Sequence, residues 1–311
     1  MYSLLEVQNF RGIERLTLDG LNRVNLVVGR NNCGKTSLLE AAALAWDPTV
    51  ADSVLPSLFR QSAGSTEERY YRWLVRQSSP SASLEIRNGA HACSVVLNRV
   101  ATEQPAGWTV RALPGGLQLL AKDRGGSVQV TTAQPQGPNQ VVSKYAKAVR
   151  RKGGEEQIER LLRAVDSRVR KVRVDPAADG NHLMVDMGLA EMLPLTQVGD
   201  GMYRLVSMLS DLVGETPAFC LIDEIENGLH HSVLPAVWTA LGEAAAQLDL
   251  QIIATTHSRE CLEAADSAFE ARSSYDLSVI QMFRLEGNVQ GRLLGRDQVR
   301  AAAAGDVDLR S

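Results

Sequence analysis

The chain has 311 residues, 44% of them hydrophobic and 22% charged, with a formal net charge of −3. This composition excludes collagen-like, disordered and disulfide-stapled classes, and the length suits one large α/β domain carrying an insertion. The mild acidity gives no global attraction for nucleic acid, so any such binding needs a local basic patch.

Cys33, Cys93, Cys220 and Cys261 are widely spaced, form no C-x-x-C, and read as reduced thiols. The first residues, MYSLLEVQNFRG, carry Glu6 and lack a basic region followed by an apolar one, so no signal peptide is expected. No uncharged apolar run approaches the roughly 20 residues of a membrane span. A cytoplasmic location without membrane contact follows as the expectation.

Leu4–Phe10 and Leu16–Leu18 are β-type runs around the turn Arg11-Gly12, and Val24–Val28 is a buried strand ending at Gly29. Ser37–Trp46 reads as a helix stopped by Pro48. A polar helical stretch is expected at Thr66–Arg76. The runs Ser83–Ile86, Ala92–Val96, Trp108–Ala112, Leu117–Ala121 and Ser127–Thr132 follow, separated by glycine turns, and read as an antiparallel β-rich lobe.

Ala133–Asn139 is a loop, and Val141–Lys152 and Glu155–Val169 are helices broken at Gly153-Gly154. A hairpin is expected around Asp179-Gly180-Asn181. The α/β character then returns with helix Met202–Val213, strand Ala218–Ile222, helix Ser232–Gln247, strand Gln251–Ala254 and a helix from about Arg259. A strand pair, Ser278–Arg284 and Gln290–Leu294, and a short helix to Ala304 complete the chain.

Four motifs carry chemistry. Gly29-Arg30-Asn31-Asn32-Cys33-Gly34-Lys35-Thr36 matches the phosphate-loop pattern between strand and helix. There, backbone N–H groups turn inward around phosphates, Lys35 neutralises the β- and γ-phosphates, and the Thr36 hydroxyl ligates Mg²⁺. The helix N-terminus adds its dipole to the same anion.

Phe219-Cys220-Leu221-Ile222-Asp223-Glu224 is an apolar strand ending in two acids. Asp223 is assigned to the metal and Glu224 to the general base that polarises the attacking water. An isolated acid pair would otherwise cap the next helix. Ile252–Ser258 places His257 at a strand exit, where it can donate to a γ-phosphate, although a lone histidine there is more often structural. Thr196-Gln197-Val198-Gly199-Asp200-Gly201 opens a helix and forms a second anion-ready surface.

Taken in order, these motifs resemble the ABC-type ATPase head of the SMC, RecF and OLD families. The opening Asn9-Phe10-Arg11-Gly12, the loop Gly29–Thr36 with Ser37, and Asp223-Glu224-Ile225-Glu226-Asn227-Gly228-Leu229-His230 most resemble the OLD-like branch. The resemblance covers residues 1–47 and 190–311, the nucleotide-binding core. It leaves 50–140 as the β-rich lobe or insertion and 141–173 as a basic helical segment.

The resemblance implies a P-loop fold of mixed sheet, ATP and Mg²⁺ as cofactors, and a head-to-tail homodimer. In such a dimer Thr196, Gly199, Asp200 and Gly201 of one copy close over ATP held by the other. It further implies that Arg11 reaches the nucleotide and that Glu226–His230 crosses the interface. Thr196 stands where serine is usual, and Cys33 where serine or glycine is more common; neither change removes a charge or a metal ligand. No glutamine lid can be placed.

After His257 no fresh carboxylate cluster appears, so a fused nuclease is not expected, and no heptads suggest coiled-coil arms. Residues 144–173 hold eleven Lys and Arg against Glu155, Glu156, Glu159 and Asp166. This segment either contacts DNA phosphates or is a solvated helix pair. Three roles compete: an OLD-like ATPase driving a separately encoded effector such as a nuclease in antiphage defence, a RecF-like DNA maintenance ATPase, and an ATP-dependent scaffold holding a toxin.

Overall fold

The computed structural model describes residues 1–53, 71, 73–89, 91–100, 104–113, 116–123, 128–131, 137–177, 180–215 and 219–304. The helix expected at Thr66–Arg76 lies mostly outside the described residues, as do most of the loop Ala133–Asn139 and the first residue of the turn Asp179-Gly180-Asn181.

The strands are β1 (Leu4–Phe10), β2 (Ile13–Asp19), β3 (Val24–Val28), β4 (Ser81–Asn88), β5 (His91–Asn98), β6 (Thr109–Leu113), β7 (Leu117–Lys122) and β8 (Val128–Thr131), then β9 (Lys171–Ala177), β10 (Gly180–Asp186), β11 (Leu193–Pro194), β12 (Phe219–Ile222), β13 (Gln251–Thr256), β14 (Leu277–Leu285) and β15 (Asn288–Leu294). The helices are α1 (Lys35–Trp46), α2 (Val50–Ser53), α3 (Pro138–Val149), α4 (Gly154–Val165), α5 (Leu195–Val198), α6 (Asp200–Glu215), α7 (Leu234–Gln247), α8 (Arg259–Glu270) and α9 (Arg296–Ala304).

One sheet runs β15-β14-β3-β13-β12-β8; it is parallel except for the β14–β15 pair. Its strands β3, β12 and β13 are buried along their whole length and mostly apolar because both faces are covered. Alternate residues divide between the two faces. Val24, Leu26, Cys220, Ile222, Ile252 and Ala254 pack with helices α3, α4, α6, α7 and α8. Val27, Phe219, Leu221, Ile253 and Ile280 pack with α1 and an antiparallel sheet on the other side.

That second sheet runs β2-β1-β4-β5-β7-β6. The β-type runs between residues 50 and 140 therefore divide. Four of them extend the sheet begun by β1 and β2, while Val128–Thr131 lies parallel to β12 at the edge of the core sheet. A small sheet, β11-β10-β9, accompanies α3 and α4. The architecture is mixed α/β, with a mixed sheet and antiparallel sheets.

α3 and α4 meet α6 closely. Tyr145, 1% exposed, donates its hydroxyl to Val172 O at 2.6 Å, while Ile158, Leu161 and Leu162 are fully buried. Among the described residues no helix is long and apolar enough to cross a membrane.

Candidate nucleotide site

The site lies beyond the carboxyl ends of β3, β12 and β13, where open α/β sheets place their ligands. β3 is buried along its whole length, and α1 begins at Lys35, directly after Gly34. Gly29 has φ +152°, and a Cβ there would stand 2.3 Å from Met282 O of β14. The turn out of β3 thus needs glycine for both conformation and space. Lys35 is 8% exposed; its Nζ donates to Gly29 O at 2.7 Å and to Arg30 O at 2.9 Å. Both acceptors are neutral carbonyls, so the loop keeps a positive charge beside a helix N-terminus.

Thr36 Oγ1 donates to Asp223 Oδ2 at 3.4 Å. Thr255 Oγ1 donates to Asp223 Oδ1 at 2.6 Å and accepts from the Glu224 backbone N–H at 2.9 Å. Glu224 sits in the left-handed region at φ 47°, a conformation that costs free energy in a non-glycine residue and persists only where its surroundings impose it. Arg204 of α6 supplies part of that constraint. Its guanidinium donates to the carbonyls of Asp223 (3.1 Å), Glu224 (2.7 Å) and Asn227 (2.8 Å). Burial pushes its pKa down, while Glu226, Glu224 and Asp223 pull it back up.

His257 is held by Glu226, whose Oε1 accepts from the His257 backbone N–H at 2.9 Å and lies 3.1 Å from Nδ1. Phosphate loop, acid pair and histidine strand are therefore linked. Arg11 stands on another side of the loop, paired with Glu40 of α1, its Nη2 donating to Oε1 at 2.6 Å. Asn32 and Ser37 share a cleft of about 690 Å³ with Arg11 and Gly34. Cys33 is buried, and burial raises its thiol pKa against the opposing effect of Lys35. Asn31 and Arg30 lie exposed on the loop.

Thr196 is exposed on α5, and Gly199 and Asp200 are exposed at the start of α6. Gly201 packs against the loop after Glu224, where a Cβ would stand 3.0 Å from Gly228 O. The basic segment is partly absorbed by the fold. Lys144 pairs with Asp211, Arg168 with Asp166 (2.8 Å) and Lys171 with Glu155 (3.8 Å), while Arg151 donates to Val213 O (2.9 Å) and Arg163 to Arg170 O (2.8 Å). Arg150 and Lys152 are exposed at the turn between α3 and α4.

Of the positioning residues, Thr255 and Glu40 carry no role in the sequence-based expectation, while Glu226 enters it only in the interface-crossing segment Glu226–His230 and Arg204 only as the end of the segment opened by Thr196. The signal available for Thr255 is a hydroxyl pair, Thr255-Thr256, closing an otherwise apolar strand. Both are fully buried, and buried hydroxyls need partners.

Residues 1–44 match a family described as "AAA ATPase domain", and residues 123–263 one described as "AAA domain, putative AbiEii toxin, Type IV TA system". A 39-residue stretch, 12% of the chain, is 56% identical to the DNA replication and repair protein RecF of Pseudoalteromonas translucida. A 44-residue stretch, 14% of the chain, is 46% identical to an uncharacterized protein of Methanocaldococcus jannaschii. These stretches span only 11% and 20% of those relatives.

Among solved structures, an Smc head bound to the C-winged helix domain of ScpA superposes with TM-score 0.64 at 11% identity, covering 96% of this chain and 99% of that one. The SMC head domain from Thermotoga maritima gives 0.55 at 14% identity, covering 94% and 99%. An Smc head bound to the C-terminal domain of ScpA derived from Pyrococcus furiosus gives 0.59 at 10%, covering 98% and 99%. The fold is that of the SMC head domains, and the two stretches that match AAA ATPase families lie at its start and through its core.

Proposed function

We propose that the chain binds ATP with Mg²⁺ at Gly29–Thr36 and hydrolyses it. The observation that carries this reading is the chain of contacts from Thr36 through Asp223 and Thr255 to Glu224, beside the uncompensated charge of Lys35. The donors fit both groups. A buried ammonium on neutral carbonyls suits a phosphate, and a hydroxyl beside a carboxylate suits a hard cation that takes its remaining oxygens from phosphate and water. Among the described residues, no cluster of three or more His, Cys, Asp or Glu could hold a metal by itself, which accords with that mode.

Thr36 and Asp223 would hold Mg²⁺, which neutralises developing phosphate charge. Lys35 and the N–H groups at the start of α1 bind the phosphates. Glu224, fixed by Arg204 and Thr255, accepts the proton of the attacking water, and His257, oriented by Glu226, contacts the terminal phosphate. The test is equilibrium binding and steady-state turnover with Mg²⁺-ATP. Lys35→Ala should lose nucleotide binding, and affinity near wild type would remove Lys35 from this role.

In the finer reading the chain is an OLD-like ATPase that works as a head-to-tail dimer and controls a separately encoded effector in antiphage defence. Support comes from the exposed Thr196-to-Asp200 surface and from the match to a family described by a toxin–antitoxin system. Purification with co-encoded neighbours, with mass determined with and without ATP, tests it. A RecF-like role on DNA is favoured by the local RecF identity. Exposed Arg150 and Lys152 would then contact phosphates, and DNA binding should fall steeply with salt.

A further inference from the structure

The cleft beside the phosphate loop has a wall that neither the motifs nor the proposed chemistry uses. It is contributed by residues 73–78, far from the loop in sequence. Backbone bonds fix this segment against the β1–β2 turn: Arg11 N donates to Leu74 O at 2.8 Å, Arg76 N donates to Asn9 O at 2.8 Å, and Phe10 bridges Val75. Leu74 and Val75 are 0% and 1% exposed, so the segment is anchored in the core. Trp73 between them and the chain start is 50% exposed and lines the same cleft as Gly34 and Ser37.

We infer that Trp73 is the base platform of this site, stacking on the purine ring of a nucleotide whose phosphates lie in the Gly29–Thr36 loop. The inference rests on the ATP reading above and extends it to the part of the ligand that the phosphate motifs do not touch. A cleft of about 690 Å³ falls in the size range of small-molecule sites. Its lining joins Asn32, Gly34 and Ser37 of the phosphate loop and the start of α1 to the indole of Trp73.

Three arginines, Arg11, Arg76 and Arg284, also line the cleft. Arg284 of β14 donates to Asn32 O at 2.8 Å and Gly287 O at 2.9 Å, which leaves its charge directed at the loop. Arg76 donates to Asn288 Oδ1 at 2.9 Å and pairs with Glu14 at 3.5 Å. A polyanion with an aromatic head matches this arrangement, and an aromatic ring binds any base through its face. The wall therefore favours nucleotides over bare polyphosphate without selecting strictly among bases.

The test compares ADP with inorganic pyrophosphate by calorimetry, since neither is turned over. In the wild type ADP should bind more tightly than pyrophosphate. Trp73→Ala should weaken ADP at least about fivefold, the low end of what base stacking contributes, and leave pyrophosphate unchanged. Trp73→Phe should restore most of the ADP affinity. ADP affinity unaltered in Trp73→Ala, or an equal loss for both ligands, overturns the assignment while Lys35-dependent binding still stands. No ADP binding to the wild type overturns the nucleotide reading itself, and this inference with it.

Discussion

Thr255, near the end of β13, donates its hydroxyl to Oδ1 of Asp223, just after β12, across 2.6 Å, and Thr255 Oγ1 in turn accepts the backbone N–H of Glu224. One fully buried hydroxyl thus orients the carboxylate assigned to the metal and fixes the backbone of the residue assigned as base. Thr255→Val keeps the shape and removes both bonds. Unfolding in urea should show a loss of about 1–3 kcal/mol. Turnover should fall by roughly 10- to 100-fold, because small misplacements of reacting groups are costly. ADP affinity should change little, and a larger loss in binding than in turnover would contradict the assignment.

Arg204 reaches the same turn from α6 and spans the carbonyls of Asp223, Glu224 and Asn227. This requires a planar fork of donors, which lysine lacks. Arg204→Lys keeps the charge and should still lower turnover and stability, the latter by about 1–3 kcal/mol. α6 begins at Asp200 within the Thr196–Gly201 segment, so Arg204 also ties that surface to the acid pair. A variant with wild-type turnover would show that two of the three bonds suffice.

The phosphate loop was legible because its glycine spacing, the apolar strand before it and the helix after it are all local. The acid pair and His257 were legible for the same reason, each ending an apolar run. Val128–Thr131 was not, because nothing within the run says that its partner is β12, some ninety positions away. Strand β2 extends from Ile13 to Asp19 although only Leu16–Leu18 reads as β-type; Glu14 and Arg15 face solvent and mask the alternation. The role of residues 144–173 stays open in the sequence, since Asp211, the main-chain oxygens of Val213 and Arg170, and nearby acids absorb several of those cations only once the helices pack.

The four cysteines should be silent in the native state. Burial raises the pKa of Cys33, Cys93 and Cys220 and pushes that of Cys261 up to about 12. The thiolate is the reactive form, so a thiol reagent at pH 8 should modify the folded protein only as fast as it opens. Rapid modification of a cysteine without unfolding would contradict this. The sign for stability follows from the raised values. The unfolded thiols ionise near 9.0 while the folded ones stay protonated, so their contribution is complete below that pH and lost as pH rises through and above it. Tyr145 and Tyr275, also raised by burial, add to the loss above pH 10. Urea unfolding at pH 8 and pH 10 should show the difference.

Glu224→Gln separates binding from chemistry. The amide keeps the size of the side chain, and the backbone bonds to Thr255 and Arg204 are untouched, so the φ of 47° is preserved. What is lost is the proton acceptor for the attacking water, a contribution of about 100- to 10,000-fold for a general base. The variant should bind Mg²⁺-ATP with near wild-type affinity and turn it over at least about 100-fold more slowly. If the Thr196-to-Gly201 segment closes over nucleotide on a second copy, the unhydrolysed complex should also accumulate as a dimer, seen by light scattering and dispersed by the further change Lys35→Ala. Unchanged turnover removes Glu224 as the base. Slow turnover with a mass that stays monomeric at saturating ATP keeps the base and removes the dimer.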